Sequence, residues 1–188
     1  MSKKSGPAIF MYTVIAIAIT VAAVCLVLYY CNILPYDAVL WTGVVTFTLT
    51  YHFWLRLIMG SITRRLHIHH GQWWFKERKF EKKLYKLLRV RKWKEKVLTY
   101  DPDAFSQEKH SLEEIANAMS KAETDHWINQ LIALSTILFS LIWGAFWIFL
   151  ATAIIAVLFD AQFIVVQRFN RPYVLRVINR QRARGLQA

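Results

Sequence analysis

Acidic side chains, cysteines and histidine clusters are all scarce in this 188-residue chain, and each shortage removes a class of protein. Twelve Asp and Glu face 24 Lys and Arg, a formal net charge of +12, while 56% of the residues are hydrophobic. A soluble domain seldom joins so much apolar content to so much positive charge. A small integral membrane protein does so routinely, its apolar part facing lipid and its basic part facing the cytoplasm. The two cysteines, Cys25 and Cys31, lie six residues apart in one apolar stretch. A single helix cannot bring such a pair into disulfide geometry, so a cross-linked scaffold is excluded. Histidine gathers only once, at His67-Ile-His69-His70. Di-iron membrane oxygenases need several such clusters, so neither a metal site nor a bound cofactor is expected.

Charge is also missing from long stretches. Residues 9–31 carry none, and of Asp, Glu, Lys, Arg and His the stretch 37–60 holds only Asp37, His52 and Arg56. From Trp127 to Gln167 the chain runs 41 residues without Lys or Arg and with one acid, Asp160. At about 1.5 Å per helical residue that run spans roughly 60 Å, twice a bilayer core of about 30 Å. It therefore reads as a tight helical hairpin turning near Trp143-Gly144. The first stretch is longer than a signal-peptide core and lacks a small-residue cleavage pattern, so it is expected to be retained. The predicted fold is an all-α integral membrane protein, one domain over residues 1–188. Its four spans are at about 9–31, 38–60, 127–146 and 148–169, with a loop at 61–126 and a tail at 170–188.

Basic residues orient these spans. Residues 61–96 hold 13 Lys and Arg with three Glu, and from Arg168 onward there are six Arg and no acid. The connections at 32–36 and near Trp143-Gly144 have no Lys or Arg. The positive-inside rule then places both termini and the long loop in the cytoplasm. Within 72–98, aromatic and basic positions alternate, as in a helix lying at headgroup depth. Tethering between two spans argues against nucleic acid as its partner. A polar break at Thr99-Tyr-Asp101-Pro102-Asp103 follows. Ser111-Leu-Glu-Glu114 then reads as a capping box, opening a helix whose apolar face is Leu112, Ile115, Met119 and Ala122.

The hairpin's ends carry the polar groups. Glu123 and His126, three apart on one helical face, could form a general-base pair in which the carboxylate orients the imidazole; interface polarity is the plainer reading of the same spacing. Asp160 lies about 12 Å before Arg168, inside the bilayer, where an ionisable group usually has a partner. His52 and Arg56 are candidates, and a structural contact between helices is the alternative. Gln167-Arg168-Phe169-Asn170-Arg171-Pro172 closes the run. Pro172 should mark a change of direction, and Arg168 and Arg171 could grip a phosphate or carboxylate.

Three short elements occur in order: Tyr85-Lys-Leu-Leu-Arg-Val-Arg91-Lys92-Trp93-Lys94, Glu123-x-x-His126-Trp127, and Gln167 to Pro172 with the basic tail. Over roughly residues 73 to 185 the chain resembles the glycosyl-4,4'-diaponeurosporenoate acyltransferase family, small bacterial membrane enzymes of staphyloxanthin-type carotenoid biosynthesis. The resemblance implies transfer of a fatty acyl group to a hydroxyl of a lipid-linked sugar, a glycosylated carotenoid or similar acceptor. On that reading His126, helped by Glu123, is the base. Arg91, Lys92, Lys94, Arg168 and Arg171 bind the phosphates of an acyl-CoA donor or an acidic acyl-carrier protein. Gln167 and Asn170 orient polar groups, and Trp93, Trp127 and Asp160 complete the substrate contacts. Two rivals stand beside it: a small methyltransferase of the prenylcysteine or phospholipid type, and a non-enzymatic scaffold.

Overall fold

The computed structural model describes residues 6–97 and 102–185. The positive start at Met1–Lys4 and most of the polar break at 99–103 lie outside the described residues. Two compact units divide the chain, Met1–Met59 and Gly60–Ala188. Among the described residues four helices are long and apolar enough to cross a membrane.

The first unit holds α1 (Gly6–Tyr30) and most of α2 (Asp37–Thr63). Asn32 ends the first helix with φ of 57°, the left-handed conformation that Asn tolerates. The amides of Asn32 and Ile33 donate to the carbonyls of Tyr29 and Leu28, a Schellman closure that satisfies the orphan carbonyls of the last turn. Gly43 lies where a Cβ would come within 2.9 Å of Leu26 Cγ, so its missing side chain lets α2 approach α1. With Ala18 and Ala22 buried beside it, this is the small-residue packing by which helices associate in lipid.

The second unit is built on α5 (Leu112–Ser135) and α7 (Phe146–Ala183). The predicted capping box is present: Ser111 Oγ accepts from the Glu114 amide, and Glu114 accepts from the Ser111 amide. The helix begins at that box, 15 residues before the predicted span start at 127, so the amphipathic segment and the span are one rod. Two short 3₁₀ and α turns, Thr136–Phe139 and α6 (Ser140–Trp143), lead into the reversal. Gly144 has φ 71° and ψ −149°, a region almost closed to other residues, and Ala145 follows at φ 51°. The turn thus falls where the sequence indicated.

Two expectations are corrected here. Pro172 does not redirect the chain, because α7 continues through it to Ala183. A mid-helix proline costs about 3 kcal/mol; the ion pairs of Arg168 and Arg171, described below, tie that stretch to its neighbours. Nor is the described part of the basic segment, 72–97, one interfacial helix. It folds as a 3₁₀ turn at Trp73–Phe75, α3 (Glu81–Leu87), α4 (Val90–Trp93) and a 3₁₀ turn at Lys94–Lys96. Arg89, with φ of 50°, makes the corner between α3 and α4. The corner lets Tyr85, Val90 and Phe169 share a small core against α7, with Trp93 and Val165 packed on it.

Candidate functional site

Positions Asp160, Ile164, Arg171 and Ile178 repeat at four- and seven-residue spacing and are buried along one face of α7. The facing stripe on α5 is Ile115, Met119, Glu123, Gln130 and Ala133. Two acids, Glu123 on α5 and Asp160 on α7, therefore lie inside the helix pair, and each takes a different partner.

Glu123 is fully buried and is held by two arginines. Its Oε1 accepts from Arg168 Nη1 and its Oε2 from Arg171 Nη2, both at 2.6 Å. Arg168 also donates to Glu81 Oε1 at 2.5 Å and to the carbonyls of Trp74 and Lys76. Arg171 donates to Ser120 Oγ and to the Phe75 carbonyl, with its guanidinium 5.0 Å over the Phe75 ring. Two carboxylates and two guanidinium groups thus form a neutral buried chain joining the loop, α5 and α7. Tyr85 completes it by donating to Glu81 Oε2 at 2.7 Å. Burial, and then the Glu81 carboxylate beside it, push the Tyr85 phenol above its ordinary pKa, so it remains a donor.

His126 takes its carboxylate elsewhere. Its Nδ1 lies 2.8 Å from Asp160 Oδ1, and its ring stacks on Phe163 at 4.4 Å and 4°. With an ionised Asp160 as acceptor and a neutral ring, the proton sits on Nδ1 and Nε2 keeps a lone pair. Asn129 Nδ2 approaches the same Asp160 oxygen at 3.5 Å, and Gln130 donates to the Val157 carbonyl one turn away. The pairing expected between Glu123 and His126 is therefore replaced by His126–Asp160. Sharing a helical face did not join them, because two cations on α7 outcompete an imidazole for the Glu123 carboxylate. The carboxyl–imidazole pair remains the geometry a general base uses.

The expected arginine grip is corrected in the same way. Arg168 and Arg171 spend their donors inside the protein. Arg91 and Lys92 instead line a cleft of about 910 Å³ between α3, α4 and the end of α7. Arg171 forms part of its wall, and Arg91 donates to Tyr173 Oη at 3.4 Å. Lys94 Nζ donates to Asn170 Oδ1 at 3.1 Å and sits over the Phe169 ring. Trp93 Nε1 donates to the Leu88 carbonyl, and Trp127 packs edge-on against Trp74. Gln167 is half-buried on α7. In the histidine cluster, His70 is tied to α5, its Nδ1 and its amide both meeting Asn117 Oδ1. Among the described residues no group of three or more His, Cys, Asp or Glu could hold a metal ion.

Residues 71–180, more than half the chain, match the glycosyl-4,4'-diaponeurosporenoate acyltransferase family. The chain belongs to this family. It is an acyltransferase, and the family's place is carotenoid biosynthesis. Membership decides for acyl transfer over the methyltransferase and scaffold readings. No curated protein and no solved structure matches the chain significantly. The matched segment contains the whole buried chain, the His126–Asp160 pair and the cleft, so this acyltransferase carries all three inside the family's common part. Sequence reasoning missed Glu81, Ser120 and Tyr85. Glu81 carried one signal, an acid four residues before Tyr85 in a segment dominated by Lys and Arg.

Proposed function

We propose that this acyltransferase moves a fatty acyl group from a thioester donor to a hydroxyl of a lipid-linked sugar, a glycosylated carotenoid or a close analogue. The observation that carries the reading is the His126–Asp160 pair at 2.8 Å, stacked on Phe163 and partly open at the His126 side chain. Nε2 takes the proton of the acceptor hydroxyl as its oxygen attacks the thioester carbonyl. Collapse of the tetrahedral intermediate breaks the C–S bond, and the imidazolium returns the proton to the leaving thiolate. Asp160 holds the ring in one tautomer and offsets the positive charge that forms. Glu123, Arg168 and Arg171 act through position, holding α5 against α7 so that His126 and Asp160 meet.

The apolar acceptor and the acyl chain reach this pair from lipid, consistent with exposed Leu131, Leu138, Ile155 and Leu158 on the two spans. The positive-inside distribution supports a cytoplasmic location for the basic cleft and both termini. The test is acyl transfer by membranes containing His126→Ala or Asp160→Asn, with insertion and thermal stability checked in parallel. Both should lose roughly a hundredfold or more of the rate. A stably inserted His126→Ala protein that acylates at the wild-type rate would remove the base assignment.

A further inference from the structure

The cleft contains more positive charge than two spans and an orientation rule require. Lys76, Lys82, Lys86, Arg89, Lys92 and Arg176 ring it, Glu77 is its one acidic lining residue, and Tyr85, Val90 and Phe169 form its apolar floor. No ion pair within the described residues engages Lys76, Lys86, Arg89 or Lys92. Cations converging on one concavity repel each other, and a multiply charged anion relieves that repulsion. An opening of about 910 Å³ lies at the upper end of the range for small-molecule sites, roughly 300–1,000 Å³. A carrier protein would dock on an outer surface and would not fill it. Tyr173, exposed at the rim, supplies an aromatic ring beside the charges.

We infer that the cleft binds the phosphates and nucleoside of a coenzyme A-type donor, which identifies the thioester source for the reading above and rests on it. The distance suits such a donor. Eleven residues of α7 separate Arg171 in the cleft wall from Asp160, about 16 Å along the axis. A phosphate-anchored donor with a long pantetheine arm spans that gap, whereas a short acyl phosphate would not. A lipid headgroup offers the same phosphate chemistry, so the experiment separates the two sources.

Coenzyme A binding is measured on the full chain in nanodiscs of phosphatidylcholine and, separately, of phosphatidylglycerol. The Lys82→Gln/Lys86→Gln/Lys92→Gln protein is compared with wild type; all three side chains are exposed, so the fold is kept. Binding should weaken on the order of 30-fold in the triple variant, and adenosine 3',5'-bisphosphate should compete while pantetheine should not. The inference is overturned if coenzyme A does not bind, if it binds the variant as tightly, or if phosphatidylglycerol abolishes binding in the wild type. Acyl transfer is assayed in the same samples from coenzyme A and carrier-protein thioesters. Transfer from the carrier alone overturns the donor but keeps the acyltransfer reading. Charge-dependent binding of coenzyme A without transfer from either thioester sinks the acceptor and base reading but keeps the cleft.

Discussion

Replacing Glu123 by Gln tests whether this residue is chemical or architectural. The substitution preserves volume, so no cavity opens. It converts a buried chain of two carboxylates and two guanidinium groups from neutral to a net charge of +1. Two charge-assisted bonds of 2.6 Å are lost or weakened at once, and the new amide can direct N–H groups at cations that need acceptors. Removing one partner of a buried ion pair costs about 3–5 kcal/mol. For a chain of this length that corresponds to a fall in unfolding temperature of roughly 6–20 °C. The assay is thermal unfolding of the purified protein in detergent, with Glu123→Gln, Arg171→Gln and the double variant side by side. The double variant restores neutrality, so its loss should be clearly smaller than the sum of the single losses. A Glu123→Gln protein as stable as wild type, or a strictly additive double variant, would refute the architectural role. Normal stability with abolished turnover would return Glu123 to catalysis.

Three further outcomes follow from the same geometry. Asp160→Asn, which keeps shape but not charge, should lower kcat with little change in KM for the thioester, measured by steady-state acyl transfer. Gly144→Ala places a Cβ at φ 71°, ψ −149° and should cost of order 1–3 kcal/mol of stability, whereas Ala145→Gly should be neutral or mildly stabilising, both read from unfolding temperatures. Tyr85→Phe leaves Glu81 Oε2 without its donor and should destabilise by about 1–3 kcal/mol. In the wild type the folded protein holds the Tyr85 proton more tightly than the unfolded chain. That contribution is therefore complete below the unfolded phenol pKa of about 10 and is lost as pH climbs beyond it. A Tyr85→Phe protein with the same alkaline stability profile would remove that assignment.

Features set by local backbone chemistry were legible from the residues. The capping box at Ser111–Glu114, the reversal at Gly144 and the apolar stripe of α5 each depend on a few neighbouring side chains. Partner choice across helices was not. Spacing places Glu123 and His126 on one face, yet it carries no information on which α7 residue stands opposite each of them. That depends on the relative register of two rods, and here Arg168 and Arg171 lie opposite Glu123 while Asp160 lies opposite His126. The basic segment misled for a related reason. Its alternation of aromatics and cations suits an interfacial helix, but the left-handed corner at Arg89 needs no glycine and so left no mark in the composition. Pro172 satisfies a local rule for a helix end, yet α7 runs through it where Arg168 and Arg171 are held by ion pairs to Glu81 and Glu123, partners no local rule contains.

The link between Glu81 and Arg168 has a consequence for how the protein is made. Glu81 belongs to the segment before α5, whereas Arg168 lies on α7, which leaves the ribosome after α5. The cleft's two walls, residues 75–92 and 169–179, are likewise separated by the whole hairpin. A nascent chain that has inserted its first three spans therefore has neither a closed cleft nor a histidine with its carboxylate. Both features form in one step, when α7 docks on α5, and a chain truncated before Asp160 lacks both.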